Sequence, residues 1–185
     1  MNKALILIAN GTEEIEATTL ANVLRRAEIE VTLAGVGGKL LRGSRNITIC
    51  ADVEFEEIAD TAHDEFDILI LPGGWGGTLI FCEDSNVQFT LKRFDSAKKM
   101  ICAICAAPLA LDRANILLNH RFTCFPGIEQ KMSALGYENR KFVVSDNIFT
   151  SQGPATAMDF ALRIVRAVVG EEKFLSVAAE LLYEI

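Results

Sequence analysis

Short, nearly unbroken apolar runs punctuate this chain: KALILIA (3–9), VTLAG (31–35), DILIL (67–71), MICAI (100–104) and FTCF (122–125). Runs of this length predict strands, and strands apolar on both faces suit a parallel sheet covered by helices on both sides. Between them the apolar positions take helical spacing around 13–27, 77–94, 106–116 and 127–134. FVVSDNIFTS (142–151) reads as a β-hairpin turning at Asp146-Asn147. Two helices follow, PATAMDFALRIVRAVV (154–169), opened by Pro154 and closed by Gly170, and EEKFLSVAAELLYE (171–184). No period of 20–50 residues and no Pro/Gly/Ser-rich linker divides the chain. The alternation predicts one domain over residues 1–185, a doubly wound, mostly parallel α/β sheet sandwiched by helices. Ligands in such sheets bind outside the carboxyl ends of the strands, so the loops that follow strands are the places to search.

Composition narrows the function classes. The chain has 185 residues, half of them hydrophobic, enough to bury a core and too apolar for disorder. With 18 Lys+Arg against 25 Asp+Glu the net charge is -7, which argues against a nucleic-acid surface and against a polybasic membrane patch. The apolar stretch in MNKALILIANGTEE is too short for a signal peptide or a membrane span, and no other run approaches the roughly 20 residues a bilayer requires. Five cysteines, an odd number, without an export signal predict reduced thiols and a cytoplasmic location.

The cysteines in ICAICAAP (101–108) differ by position. Cys105 sits where the strand MICAI gives way to the helix AAPLALD, the setting of a nucleophile elbow. Ala103, Ala106 and Ala107 permit a sharp turn, and a helix start just beyond would favour a thiolate of lowered pKa. A small buried hydrophobe is the other reading of the same position. Cys102 falls within the strand, about 10 Å back along it, too far for a disulfide with Cys105. No second C-x-x-C and no His pair completes a zinc site, so no metal is expected.

Two further stretches follow strands. In NGTEEIEATTL (10–20), the stripe Leu20, Val23, Leu24 and Ala27 continues back four residues to Glu16, which therefore faces inward while Glu13 and Glu14 stay solvated. A carboxyl turned inward needs a partner and has a raised pKa, as a hydrogen-bond donor or general base; a helix-capping carboxylate is the alternative. In LPGGWGG (71–77), Gly73 and Gly74 allow close approach of backbone N–H groups, which with the Ala106 N–H could form an oxyanion hole. Neither G-x-G-x-x-G nor a P-loop is present, and no cofactor is expected.

Taken in order, G-T-E-E-I-E, L-P-G-G, A-I-C-A-A-P and T-S-Q-G-P resemble the ThiJ/PfpI family of the class I glutamine amidotransferase-like superfamily, with its protein deglycase and YajL-like chaperone branches. The resemblance spans the chain and implies a flavodoxin-like fold, commonly homodimeric, with a reactive elbow cysteine hydrogen-bonded to a protonated glutamate. These positions are Cys105 and Glu16. It further implies glyoxalase or protein deglycase chemistry on methylglyoxal-type carbonyls or glycated proteins. The alternative is a non-enzymatic, redox-sensing chaperone in which Cys105 is oxidised under oxidative stress. Arg45 matches a position that in the family reaches the site across the dimer, and Gly153 and Pro154 match the site wall. Phe125 stands where members with a Cys–His pair carry histidine. The two histidines, His63 and His120, both precede apolar runs and so belong to the far edge of the sheet.

Overall fold

The computed structural model describes residues 2–184. The chain begins with β1 (Lys3–Ala9), α1 (Glu14–Arg26), β2 (Glu30–Val36), β3 (Leu40–Arg42), β4 (Thr48–Cys50), β5 (Val53–Glu54), α2 (Ala62–Glu65), β6 (Ile68–Leu71) and α3 (Trp75–Glu83). It continues with α4 (Ser85–Ser96), β7 (Met100–Ile104), α5 (Pro108–Arg113), β8 (Phe142–Ser145), β9 (Ile148–Ser151), α6 (Ala157–Val169) and α7 (Glu171–Glu180). Seven strands form one sheet in the order β5-β2-β1-β6-β7-β9-β8, parallel except for edge strand β8. This is the expected doubly wound, flavodoxin-like sandwich.

Period-two alternation decides which layer each strand residue joins. Ala4, Ile6 and Ile8 of β1 pack with α1, α6 and α7, while Leu5, Leu7 and Ala9 pack beneath α3, α4 and α5. Strand order reverses at β1, because β2 was added on one side and β6 on the other. A crevice opens at the carboxyl ends of β1 and β6, where such folds place ligands.

The structure departs from the sequence pattern in several places. FTCF is not a strand: β9 occupies the place beside β7, Phe122 makes only an isolated bridge to Tyr137, and the Thr123 N–H goes to the Thr150 hydroxyl. The predicted helix 77–94 is two helices, because the Asp84 side chain caps a new start at the Val87 N–H. The segment 127–134 has only a 3-10 turn over Glu129–Lys131, and 106–116 shrinks to the six residues of α5. The β3–β4 hairpin was not apparent in the apolar pattern; its strands are only three residues each and mostly exposed.

Candidate active site

At the end of β7 the backbone turns sharply, and Cys105 takes φ 64°, a left-handed conformation costly for a side chain with a Cβ. It is held from both sides: its N–H donates to the Ser151 carbonyl at 2.9 Å, and its carbonyl accepts the Phe125 N–H at 2.8 Å. The elbow expected from the sequence is therefore present. Cys105 faces an open cavity of about 600 Å³, lined also by Gly11, Ser44, Trp75, Gly76 and Ile128. Cys102 is completely buried in β7, and burial raises its pKa, as expected for core.

Three acids stand at the start of α1. Glu13 opens the helix, its Oε2 accepting the Glu16 N–H at 2.9 Å. The cap is thus Glu13, and Glu16 is free for another role. Glu14 is not solvated either; its Oε1 accepts the N–H groups of Arg45 (2.7 Å) and Ile47 (3.2 Å), and its Oε2 accepts the Ser44 hydroxyl. Burial pushes the Glu14 carboxyl up, but these donors outweigh it and hold the pKa below the ordinary value. Both acids were expected in solvent. The β3–β4 hairpin, folded over the helix start, encloses Glu14, while Glu13 lies on the lining of the cavity.

Glu16 has no solvent exposure, and its Oε2 accepts the Gly73 N–H at 2.6 Å. Burial is the main cause that pushes its carboxyl up to about 8; the Gly73 N–H opposes this and the Glu13 charge adds to it. At neutral pH Glu16 therefore holds its proton. Its side-chain partner is the Cys105 thiol, and Oε1, which no N–H or O–H donor approaches, is the oxygen free to carry the proton. Gly73 is required here, since a Cβ would lie 2.5 Å from the Cys105 Cβ and 2.8 Å from Glu16 Oε2.

The thiol itself corrects the sequence expectation. Burial first, and the charge Glu16 would carry second, push Cys105 up to about 12, against the N–H groups of Gly74 and Ala106. The helix start offers less than its position implied, because α5 begins only at Pro108 and is a mere six residues long. Burial, invisible in the local sequence, dominates. The Gly73 N–H is also engaged with Glu16, so it is not available to a substrate oxygen; the N–H groups aimed at the reactive atom are those of Gly74 and Ala106.

Arg45 lines the cavity from its own chain, so a second copy is not needed to bring it there. Pro154 lines it too, while Gly153 lies one step behind, with a Cβ position 3.4 Å from the Phe125 ring. Phe125, half exposed, separates the cavity from a smaller apolar hollow of about 200 Å³. His63 contacts Arg93 and His120 contacts Ser145, both away from the cavity as anticipated. Sequence reasoning missed Trp75 and Lys131, whose Nζ lies 5.7 Å above the indole. An exposed tryptophan directly after a glycine turn was the available signal. No group of three His/Cys/Asp/Glu able to hold a metal occurs among the described residues.

The sequence and the fold have known counterparts. The DJ-1/PfpI family model matches residues 2–167. Protein dj-1beta of Drosophila melanogaster is 41% identical over 182 residues, covering 97% of this chain and 96% of the relative. The glutathione-independent glyoxalase DJ-1 of Schizosaccharomyces pombe is 32% identical, covering 96% of each. The crystal structure of Drosophila DJ-1beta superposes with a TM-score of 0.94 at 36% identity, covering 100% of this chain and 99% of that one. The chain belongs to the DJ-1/PfpI family.

Proposed function

We propose that this protein is a cytoplasmic, cysteine-dependent glyoxalase that converts methylglyoxal-type 2-oxoaldehydes to 2-hydroxy acids, and that it acts on the corresponding adducts of glycated proteins. The observation that carries the reading is the placement of the buried Glu16 carboxyl beside Cys105 at the floor of an open cavity, so close that a Cβ on Gly73 would meet both, with burial keeping the Glu16 proton on at neutral pH. The pair as a unit releases its first proton near the value of about 8 that Glu16 shows. In the productive microstate the charge is on sulfur, where the N–H groups of Gly74 and Ala106 and the Glu16 proton converge.

Sulfur then adds to the aldehyde carbon, forming a C–S bond, and Glu16 gives its proton to the alkoxide, which the same N–H groups stabilise as charge develops. The Glu16 carboxylate so formed removes the C1 proton and returns it to C2 through an enediol, leaving a 2-hydroxy thioester. Water cleaves the thioester, releasing the acid and restoring the thiol. The sequence is an isomerisation followed by hydrolysis, with no net oxidant. One residue moves both protons, and general acid–base catalysis contributes about 10²–10⁴-fold, so the absence of histidine at Phe125 implies a slow enzyme. The test is lactate formation from methylglyoxal by the wild type beside Cys105→Ser.

A second reading rests on the same pair of residues. Peroxide would oxidise Cys105 to the sulfinic acid, and the Glu16 proton would hold one of its oxygens, making a redox sensor and chaperone. A homodimer is part of the proposal, supported by Ile15 and Ile47, which are 56% and 60% exposed on the two sides of the Glu14 contacts.

A further inference from the structure

The cavity around Cys105 is lined by two cations, Arg45 and Lys131, in a chain whose net charge is -7. Neither has a carboxylate within ion-pair distance among the described residues. The Arg45 guanidinium donates only to the Ser44 carbonyl, at 3.2 Å, while Arg25, Arg26, Arg121, Arg140, Arg163 and Arg166 all have acidic partners. The Lys131 Nζ stands over the face of Trp75, 5.7 Å from the ring centre, and both residues line the cavity. Trp75 is 44% exposed, an uncommon position for a tryptophan unless the indole serves as a platform. The one acid on the lining, Glu13, has its Oε2 turned back to the Glu16 N–H. Methylglyoxal is small and neutral; it leaves most of about 600 Å³ empty and makes no use of either cation.

We propose that Lys131, propped on the Trp75 indole, and Arg45 form an anion subsite beside the nucleophile, so that the preferred substrates are carbonyl compounds carrying a carboxylate. This rests on the reading of Cys105 as the attacking group. A carboxylate set between a guanidinium and an ammonium gains charge-assisted hydrogen bonds that a neutral aldehyde cannot make. Lys131 and Trp75 are positioned by different segments, the 3-10 turn after Phe125 and the start of α3, so the subsite spans the cavity mouth.

Alkylation of Cys105 tests the subsite without relying on turnover. Iodoacetate and iodoacetamide both transfer a two-carbon group to sulfur and release iodide, and they differ in a carboxylate against an amide of the same shape. The iodoacetate/iodoacetamide rate ratio at Cys105, followed by peptide mapping, is expected to exceed the ratio for free cysteine by about threefold or more, the scale of one nearby cation, and to fall toward it in about 1 M salt. Lys131→Met, which keeps an apolar stem on the indole, is expected to remove most of that excess, and Lys131→Arg to retain it. A wild-type ratio equal to that of free cysteine, or a Lys131→Met ratio unchanged from wild type, would overturn the subsite while leaving Cys105 as a nucleophile. A Cys105 inert to both reagents would overturn both readings.

Discussion

At the scale of single residues, Glu16 holds the account together, and its burial has a consequence for stability. Its folded pKa of about 8 lies above the ordinary value of 4.5. Between those values the folded chain keeps a proton that the unfolded chain has lost. Stability from this group is therefore fully present below pH 4.5 and is lost as pH rises toward 8, a loss on the order of several kcal/mol. Glu16→Gln preserves shape and removes the ionisation. Thermal unfolding from pH 5 to 8 is expected to show the wild-type Tm falling relative to Glu16→Gln, by several degrees or more. Parallel curves would contradict a buried, protonated carboxyl. Glu16 was legible from the helical stripe alone, because burial of Leu20 and Leu24 fixes which face of α1 turns inward. The direction of the Cys105 pKa was not legible, since a sequence shows that a helix begins but not how much water reaches the turn before it.

Among the elements, α5 links the nucleophile to the wall of its cavity. Asp112, almost fully buried, accepts the Ser133 N–H through Oδ2 and the Ala134 N–H through Oδ1, each at 2.9 Å. It pins the end of the segment that carries Phe125, Ile128 and Lys131. Asp112→Ala would leave both N–H groups unpaired, and a buried unsatisfied donor costs about 1–3 kcal/mol. Amide exchange is expected to rise over residues 127–136 while β7 stays protected. Uniform acceleration through β7 would mean that Asp112 supports the whole sheet instead. This segment is also where the sequence pattern misled. FTCF has the apolar content of a strand, and Phe122 and Cys124 are indeed buried, but the hairpin β8–β9 has better cross-strand partners and takes the sheet edge. Burial is readable from composition, whereas competition for an edge is settled by pairing between distant segments. The runs legible as single strands, β1, β2, β6 and β7, all have neighbours on both sides and are largely apolar on both faces, while the β8–β9 pair was legible from its turn at Asp146-Asn147.

For the whole molecule, the exposed Ile15 and Ile47, together with Leu40 at 73% exposure, are the apolar side chains that a second copy is proposed to cover. Sedimentation of the wild type is expected to give a dimer, and Ile15→Glu to shift it toward monomer without loss of fold; a monomeric wild type would contradict the assembly. No helix among the described residues is long and apolar enough to cross a membrane. In the proposed mechanism Cys105 and Glu16 act as one proton-sharing nucleophile. The most direct test is the pH dependence of lactate formation from methylglyoxal by wild type and Cys105→Ser. Turnover is expected to rise with pH through a single ionisation near 8 in the wild type, with no histidine-like step near 6.5, and to be absent in Cys105→Ser. Lactate formed equally by Cys105→Ser, or a wild-type profile flat from pH 6 to 9, would contradict it.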